Sequence, residues 1–419
     1  MKLLFYGESP LNPTGFGNVN RHLLAACARE CDVTCVASTH YHASYSREEY
    51  PYAIIGCPDD GQERTMEHQR NLANIHAAID AMDWDIFFYQ GDMGWNNDIL
   101  QKVGEIQQEH PEKYTIFYMP IDGDWSVGYA FDIFKWCSVP VVYTEHARSV
   151  IAQYAPHVAE YTSVIGLGTE PEIFYPLSRE ERAAARVKFF GETYRDRWLC
   201  INVNRNQPLK DLARSLAIFH QFHTEHPDSS LYLHSVINDA GGSLTFQAQM
   251  VGCDIFKSPA EILFSGLDLA HPWPRATLNE LYNACDCLIS TAYGEGWGLT
   301  TTEAMAAGIP VIVPHGTANL DILGEGQERG WGVKTGGDLD HVVYLYSNGS
   351  TIASVVHAQD FLDKLSYVWA HPEQAAEKVQ AAREWCLLNT WERRESAWQQ
   401  LLQMIKAGSD HPSLTTTMC

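Results

Sequence analysis

Short apolar runs alternate with longer amphipathic stretches along most of the chain. In the first half the runs are Lys2–Tyr6, Asp32–Ala37, Ile86–Tyr89, Tyr114–Tyr118, Val139–Thr144 and Ser163–Ile165. In the second half they are Trp198–Val203, Ser230–His234, Ile262–Phe264, Cys285–Ser290 and Ile309–Val313. Each is too short for a helix and apolar on consecutive positions, which suits a strand covered on both faces. Such β/α alternation predicts parallel sheets flanked by helices, an α/β fold with two Rossmann-like domains facing across a cleft. The segment Gly166-Leu-Gly-Thr-Glu-Pro-Glu-Ile-Phe-Tyr-Pro-Leu177, with two glycines and two prolines, reads as the linker. From about Leu362 to Lys406 the pattern is helical, and residues after Gly408 read as frayed. The expected division is 1–170, 171–385 and a returning C-terminal helix with its tail over 386–419.

Composition narrows this picture. A chain of 419 residues can form two domains, and 45% apolar with 19% charged residues is ordinary globular usage. No run approaches the roughly 18 consecutive apolar residues of a membrane span. Met1–Tyr6 is too short an apolar opening for a secretory signal, so a cytoplasmic protein is expected. Of the 11 cysteines, Cys35, Cys200, Cys285 and Cys287 sit inside apolar runs and none forms a C-x-x-C pair. Free, buried thiols are expected. Histidines come close together only at His40 with His42 and at His220, His223 and His226, and neither group predicts a metal site. The net charge is −23, and residues 1–170 hold 10 Lys and Arg against 23 Asp and Glu, a balance of −13. Nucleic-acid backbones and anionic lipid repel such a surface.

The densest chemistry lies in Glu295-Gly-Trp-Gly-Leu-Thr-Thr-Thr-Glu303 followed by Ala-Met-Ala-Ala-Gly-Ile-Pro310. Thr300 and Glu303 have capping-box spacing, and Gly308 with Pro310 supplies a stop, which predicts strand, glycine loop, helix, strand. A helix start issuing from such a loop binds phosphate through its free N–H groups. Carboxylates beside it suit hydroxyl groups, and phosphate with polyol describes a nucleotide sugar. Without a ligand, the same segment would be a capped helix between two buried strands.

Two further loops follow strands. Gly7-Glu-Ser-Pro-Leu-Asn-Pro-Thr-Gly15-Phe16-Gly17 lies between a strand and an apolar helix, and it is not a dinucleotide fingerprint. Asn202-Val-Asn-Arg205-Asn-Gln-Pro-Leu-Lys210-Asp puts two cations at a strand end, five residues apart across a proline turn. They could clamp a diphosphate or simply be solvated.

The Glu295-to-Glu303 segment resembles the Glu-x7-Glu motif of retaining GT-B glycosyltransferases of family 4. Arg205 and Lys210 resemble that family's G-R-x-x-x-x-K motif, with Asn204 where glycine is usual, and the linker is similar to its interdomain segment. The first loop is most similar to that of virus-encoded members. The resemblance spans nearly the whole chain and implies a GT-B fold whose last helix crosses back to the first domain. It implies Arg205 and Lys210 on the donor phosphates, Glu295 on the sugar hydroxyls and Glu303 on the ribose. It further implies that backbone groups of Gly296, Trp297, Gly298, Leu299 and Thr300 meet sugar and phosphate, with Trp297 lining the pocket or packing. Gly15, Phe16 and Gly17 would lie near the donor diphosphate and the acceptor. Many members carry a sugar-contacting histidine after the strand that corresponds to Tyr114–Tyr118. This chain reads Met119-Pro-Ile-Asp122-Gly-Asp124 there, so Asp122 stands at or near that position, as a sugar or catalytic group or as a turn former. His146 is a second candidate.

The implied reaction is a metal-independent, cofactor-free transfer of a sugar from a UDP- or GDP-linked donor to a hydroxyl acceptor. Retention would proceed by front-face displacement, the departing phosphate helping to deprotonate the acceptor. A hydroxymethylated pyrimidine in DNA is an alternative acceptor, which the acidity disfavours. A non-catalytic nucleotide-sugar binder and a nucleotide-sugar epimerase are the readings from other classes.

Overall fold

The protein is described by a computed structural model covering residues 1–39, 45–56, 64–94, 96–125, 128–267, 273–345, 351–409 and 412–414. His40 and His42 lie outside the described residues. The chain divides into two compact units, Met1–Gly168 with Trp391–Met418, and Thr169–Leu345 with Thr351–Thr390.

Unit 1 is built on seven parallel strands: β1 Lys2–Gly7, β2 Asp32–Ala37, β3 Ala53–Ile55, β4 Ile86–Gln90, β5 Tyr114–Met119, β6 Val139–Val142 and β7 Ser163–Val164. Their spatial order is β3-β2-β1-β4-β5-β6-β7. The register pairs Phe5 with Cys35 on one side of β1 and with Phe88 on the other. Successive strand residues point to opposite faces. Leu4, Tyr6, Phe87, Tyr89 and Phe117 therefore join one core with Ile75 and Ile79 of α2 (Arg64–Ala81), Ile99 and Val103 of α3 (Asn97–Glu109), and Ile151 of α4 (Glu145–Tyr154). The opposite face carries Phe88 and Tyr118, whose rings lie 5.2 and 4.8 Å from that of Trp398. Both faces are covered, so the strands read as unbroken apolar runs.

Trp398 belongs to the C-terminal helix Trp391–Lys406, which is part of unit 1 and packs there against α1 (Gly15–Ala28). Glu395 there meets His22 and Arg29, and Lys406 meets Glu30 at 2.6 Å. Residues 386–390 stay with unit 2, where Thr169 N–H donates to Asn389 O at 2.8 Å. The tail differs from the frayed expectation in one place. Leu414 N–H donates to Ser163 Oγ and its carbonyl accepts from Val164 N–H, so these residues hold the chain along β7.

Unit 2 has a six-stranded parallel sheet: β8 Trp198–Val203, β9 Ser229–His234, β10 Ile262–Phe264, β11 Cys287–Ile289, β12 Val311–Pro314 and β13 Trp331–Val333. The order is β10-β9-β8-β11-β12-β13. Its helices include α5 Arg179–Phe190, α6 Leu212–Glu225, α7 Arg275–Asn283, α8 Leu299–Ala307, α9 Ala318–Leu323, α10 Ala358–Ala370 and α11 Pro372–Leu388. The core joins Leu231, Leu233, Ile289 and Ile312 of the sheet to Leu216 and Phe219 of α6 and Phe361 of α10. In this unit the strand order reverses between β8 and β11. Connections leave in opposite directions at such a point, and the crevice they open at the carboxyl ends is where doubly wound sheets bind ligands. The nine cysteines among the described residues are all free and buried.

Candidate functional site

The loops leaving β8 and β11 meet at this reversal in unit 2, and a buried polar chain fixes their separation. Asn202 Nδ2 donates to Ser215 Oγ at 3.0 Å, Ser215 Oγ meets Thr291 Oγ1 at 2.7 Å, and Thr291 Oγ1 donates to Asp211 O at 2.8 Å. Tyr293 N–H adds a bond to Leu209 O at 2.9 Å. Asp211 turns the chain into α6 with a left-handed backbone, φ 43°, a conformation that Asp tolerates better than most residues. These ties bring Lys210 Nζ to 2.6 Å from Glu295 Oε1, with each side chain only 17% exposed. Two residues that sequence reasoning assigned separately to phosphate and sugar are thus in direct contact.

Arg205 leaves the same loop but faces a small hairpin, Asn238–Asp239 with Gly242–Ser243. Its Nε donates to Asp239 Oδ2 at 2.8 Å while its side chain stays about half exposed. Asn206 anchors that hairpin through bonds to Gly242 O and Ile237 O. Both cations of the motif are therefore held by carboxylates, Lys210 mostly buried and Arg205 about half exposed.

The Glu295 segment departs from its expected capping. Gly298 has φ 98° and occupies the N-cap, so α8 begins at Leu299, and no side chain caps it. The capping box between Thr300 and Glu303 does not form. Gly298 alone can take this left-handed turn without a Cβ penalty, and it starts the helix too early for Thr300 to be its cap. The first-turn N–H groups of Leu299, Thr300 and Thr301 consequently lack a side-chain acceptor from the cap. Gly308, φ 79°, closes α8 as the sequence predicted. Upstream, Glu295 N–H donates to Thr317 Oγ1 at 3.0 Å and Glu295 O accepts from Ala318 N–H, which docks the loop on the start of α9. Trp297 packs: it is buried, with its ring 6.4 Å from that of Trp385. Gly296 lies between these two anchored residues, partly exposed.

Glu303 sits one turn into α8 in a buried cluster. Tyr282 Oη donates to Glu303 Oε2 at 2.9 Å, and Arg275 bridges Glu303 at 3.5 Å and Glu170 of the linker. Burial pushes the Glu303 carboxyl up to about 7, against the opposing pull of Arg275 and the Tyr282 bond. Glu303 therefore changes charge near neutrality. Arg275, Tyr282, Asp239 and Thr317 were not singled out from the sequence. Each lies far along the chain from the motif it serves, and only the fold joins them.

Gly15, Phe16, Gly17 and Asp122 belong to unit 1. Thr14 caps α1, its Oγ1 accepting from Gly17 N–H at 3.0 Å and donating to Glu8 Oε1 at 2.6 Å. A Cβ on Gly17 would stand 2.2 Å from Asn12 O, so that glycine is required for packing the loop on its own helix. Gly15 and Phe16 open the helix at the surface. Asp122 lies just beyond β5, half-buried. His146 is in the first turn of α4, its pKa lowered by burial and partly restored by Asp124. Gln90, at the end of β4, donates from a buried site to Tyr143 Oη at 2.7 Å.

Among the described residues no helix is long and apolar enough to cross a membrane. Among the described residues two groups could hold a metal ion, His220 with Cys253 and Glu261, and Asp338 with His341 and His357; neither includes Arg205, Lys210, Glu295 or Glu303.

Residues 269–385, which contain Arg275, Glu295 and Glu303, match the family model described as Glycosyl transferases group 1. Unit 2 carries a group 1 glycosyl transferase domain. No curated protein matches the sequence. Solved structures extend the likeness over the whole chain and show its fold to be GT-B. Sucrose-phosphate synthase from Thermosynechococcus elongatus is similar at TM-score 0.70 with 16% identity, over 98% of this chain and 100% of that one. Anabaena HepE, in complex with UDP and glucose, is similar at TM-score 0.66 with 15% identity, over 96% and 99%. The E. coli trehalose-6-phosphate protein bound with UDP-2-fluoro glucose gives TM-score 0.66 with 10% identity, over 96% and 99%. The group 1 domain and the GT-B fold make the chain a glycosyltransferase.

Proposed function

We propose that this glycosyltransferase moves a sugar, with retention, from a UDP- or GDP-linked donor held by unit 2 to a hydroxyl acceptor. The observation that carries the reading is the Lys210–Glu295 contact beside the uncapped start of α8. A diphosphate entering there carries the charge that Lys210 and Arg205 can neutralise, and it displaces their present carboxylate partners. Glu295, released from Lys210, becomes a hydrogen-bond acceptor for donor-sugar hydroxyls. The N–H groups of Leu299 and Thr300 add their dipoles to the phosphate side, and Glu303 in its ionised form accepts from the ribose hydroxyls. As the glycosidic bond breaks, negative charge grows on the leaving diphosphate, where the two cations and the helix start stabilise it most. UDP in two of the similar structures favours a uridine donor.

Retention rests on the family resemblance, with the leaving phosphate accepting the acceptor's proton. The acceptor is proposed to be a soluble hydroxyl compound, because unit 1 is acidic, and Asp122 is proposed to contact the transferred sugar. No metal is assigned to the reaction. A thermal-shift panel of UDP- and GDP-sugars identifies the donor, and turnover with an acceptor panel follows, hydroxymethylpyrimidine DNA included. The anomeric configuration of the product tests retention. The proposal fails if no nucleotide sugar binds, or if bound donor never releases nucleoside diphosphate in the presence of any acceptor. It fails equally if Lys210→Ala and Glu303→Ala bind the donor as the unchanged protein does.

A further inference from the structure

The helix that starts at the phosphate loop carries a second constellation at its other end. Just past the end of α6, His226 packs its ring against Phe222 and Trp369, and on the helix His223 Nδ1 turns to Ser229 O at 3.1 Å. His220 does something else. Its Nδ1 lies 2.8 Å from Glu261 Oε1, and the Cys253 thiol joins them, with one ligand atom from each residue all within 4.8 Å of one another. Cys253 and Glu261 are 6% and 3% exposed, whereas His220 keeps 30% of its side chain open.

We propose that His220, Cys253 and Glu261 form a binding site for a zinc-like divalent transition metal that clips α6 to the edge of the donor sheet. The donor set decides the class of ion. A thiolate and an imidazole favour zinc and its neighbours over magnesium or calcium, which take oxygen ligands alone. Bonds of about 2.0–2.3 Å in a tetrahedron place ligand atoms roughly 3.3–3.8 Å apart. The observed spacing brackets that value, so side-chain adjustments of about an ångström complete three corners. Water can fill the fourth through the exposed side of His220. Binding exchanges the thiol proton of Cys253, released to solvent, for the Cys–metal bond.

The position supplies a use for the clip. Glu261 immediately precedes β10, the edge strand, which pairs with β9 over only three residues, Leu231↔Ile262 to Leu233↔Phe264. Cys253 follows the helix Leu244–Val251, and its chain neighbour Gly252, φ 92°, lies so near His220 that a Cβ there would stand 3.3 Å from Nε2. One ion would tie helix, loop and edge strand together. Without it, Glu261 accepts from Asp254 N–H and meets His220, so the same residues form a hydrogen-bonded cluster. The experiment separates these two states.

A tag-free chain is freed of metal with a chelator, then titrated with zinc chloride and, separately, with cobalt chloride under reducing conditions. Bound metal is counted after gel filtration, the cobalt spectrum is recorded, and thermal unfolding is followed with and without zinc. The expected result is one tightly held ion per chain, a thiolate-to-cobalt charge-transfer band, and an upward shift of the unfolding midpoint. Cys253→Ser and Glu261→Gln should both lose the ion and the shift, and Asp338→Asn, in the other three-residue group, should keep them. A wild-type chain that retains no zinc, or a cobalt complex without the thiolate band, overturns the proposal. So does retention undiminished in Cys253→Ser. The wild-type spectrum decides even if a variant fails to fold.

Discussion

Replacing Glu295 by Gln separates the two jobs that the Lys210–Glu295 contact performs. In the free protein the carboxylate holds the ammonium at 2.6 Å, with 83% of each side chain shielded from solvent. Opposite charges about 3 Å apart at an effective dielectric of about 20 attract by roughly 5 kcal/mol before desolvation is subtracted. Most of that is offset, and a net advantage of about 1 kcal/mol is the usual scale for a neutral-to-charged difference in one hydrogen bond. Glu295→Gln relieves Lys210 of that competitor, so the sugar-free nucleoside diphosphate should bind about fivefold more tightly. In the intact nucleotide sugar the charge-assisted bond to a hydroxyl also becomes a neutral one from the Gln amide oxygen, a loss of about 1 kcal/mol on the same scale. The ratio of the two dissociation constants should therefore move about fivefold against the sugar conjugate. Isothermal titration of nucleoside diphosphate and nucleotide sugar on both proteins measures it directly. If both ligands weaken together, or the ratio moves less than about threefold, Glu295 does not read the sugar.

Arg205→Ala should weaken the nucleoside diphosphate about tenfold, on the scale of one lost charge-assisted contact, and Asp239→Asn, which only frees Arg205, should bind it as well or better; titration calorimetry distinguishes them. Donor affinity should rise with pH, because only ionised Glu303 accepts strongly from ribose and its carboxyl titrates at about 7. Going from pH 8 to 6 reduces its ionised fraction about tenfold, so affinity should fall by up to that factor, with a flat profile in Glu303→Gln and a shallower one for a 2′-deoxynucleotide. The sign for stability is opposite. The folded-state carboxyl lies above its ordinary value of 4.5, so this group's contribution is intact below that pH and is lost as pH rises through about 7, readable as a falling unfolding midpoint that Glu303→Gln abolishes. Trp398→Ala should cost unit 1 about 3–5 kcal/mol, since the ring is 1% exposed against Phe88 and Tyr118, and should lower the denaturation midpoint.

The strands were legible because both sheet faces are covered, which turns each strand into an uninterrupted apolar word such as Leu3-Leu-Phe-Tyr6. Short strands were legible only in part: Ile262–Phe264 was read, whereas Ala53–Ile55 and Trp331–Val333, the latter broken by Gly332, were not. The same division runs through the site. Glycines and acids near one another in sequence could be read as a glycine-loop helix start, yet the Thr300–Glu303 spacing pointed to the wrong cap. The spacing recorded what a cap needs, whereas the backbone turn at Gly298 decided where the helix starts. Contacts that set charge were beyond reach altogether. Lys210 meets Glu295 across 85 residues, and it does so because Thr291 and Tyr293 bond the loop after β8. Tyr282 and Arg275 reach Glu303 from α7, and burial among them moves its titration to neutrality. Chemistry that depends on which groups are present can be read from a sequence, but a carboxylate's charge state depends on its neighbours, and those are supplied only by the fold.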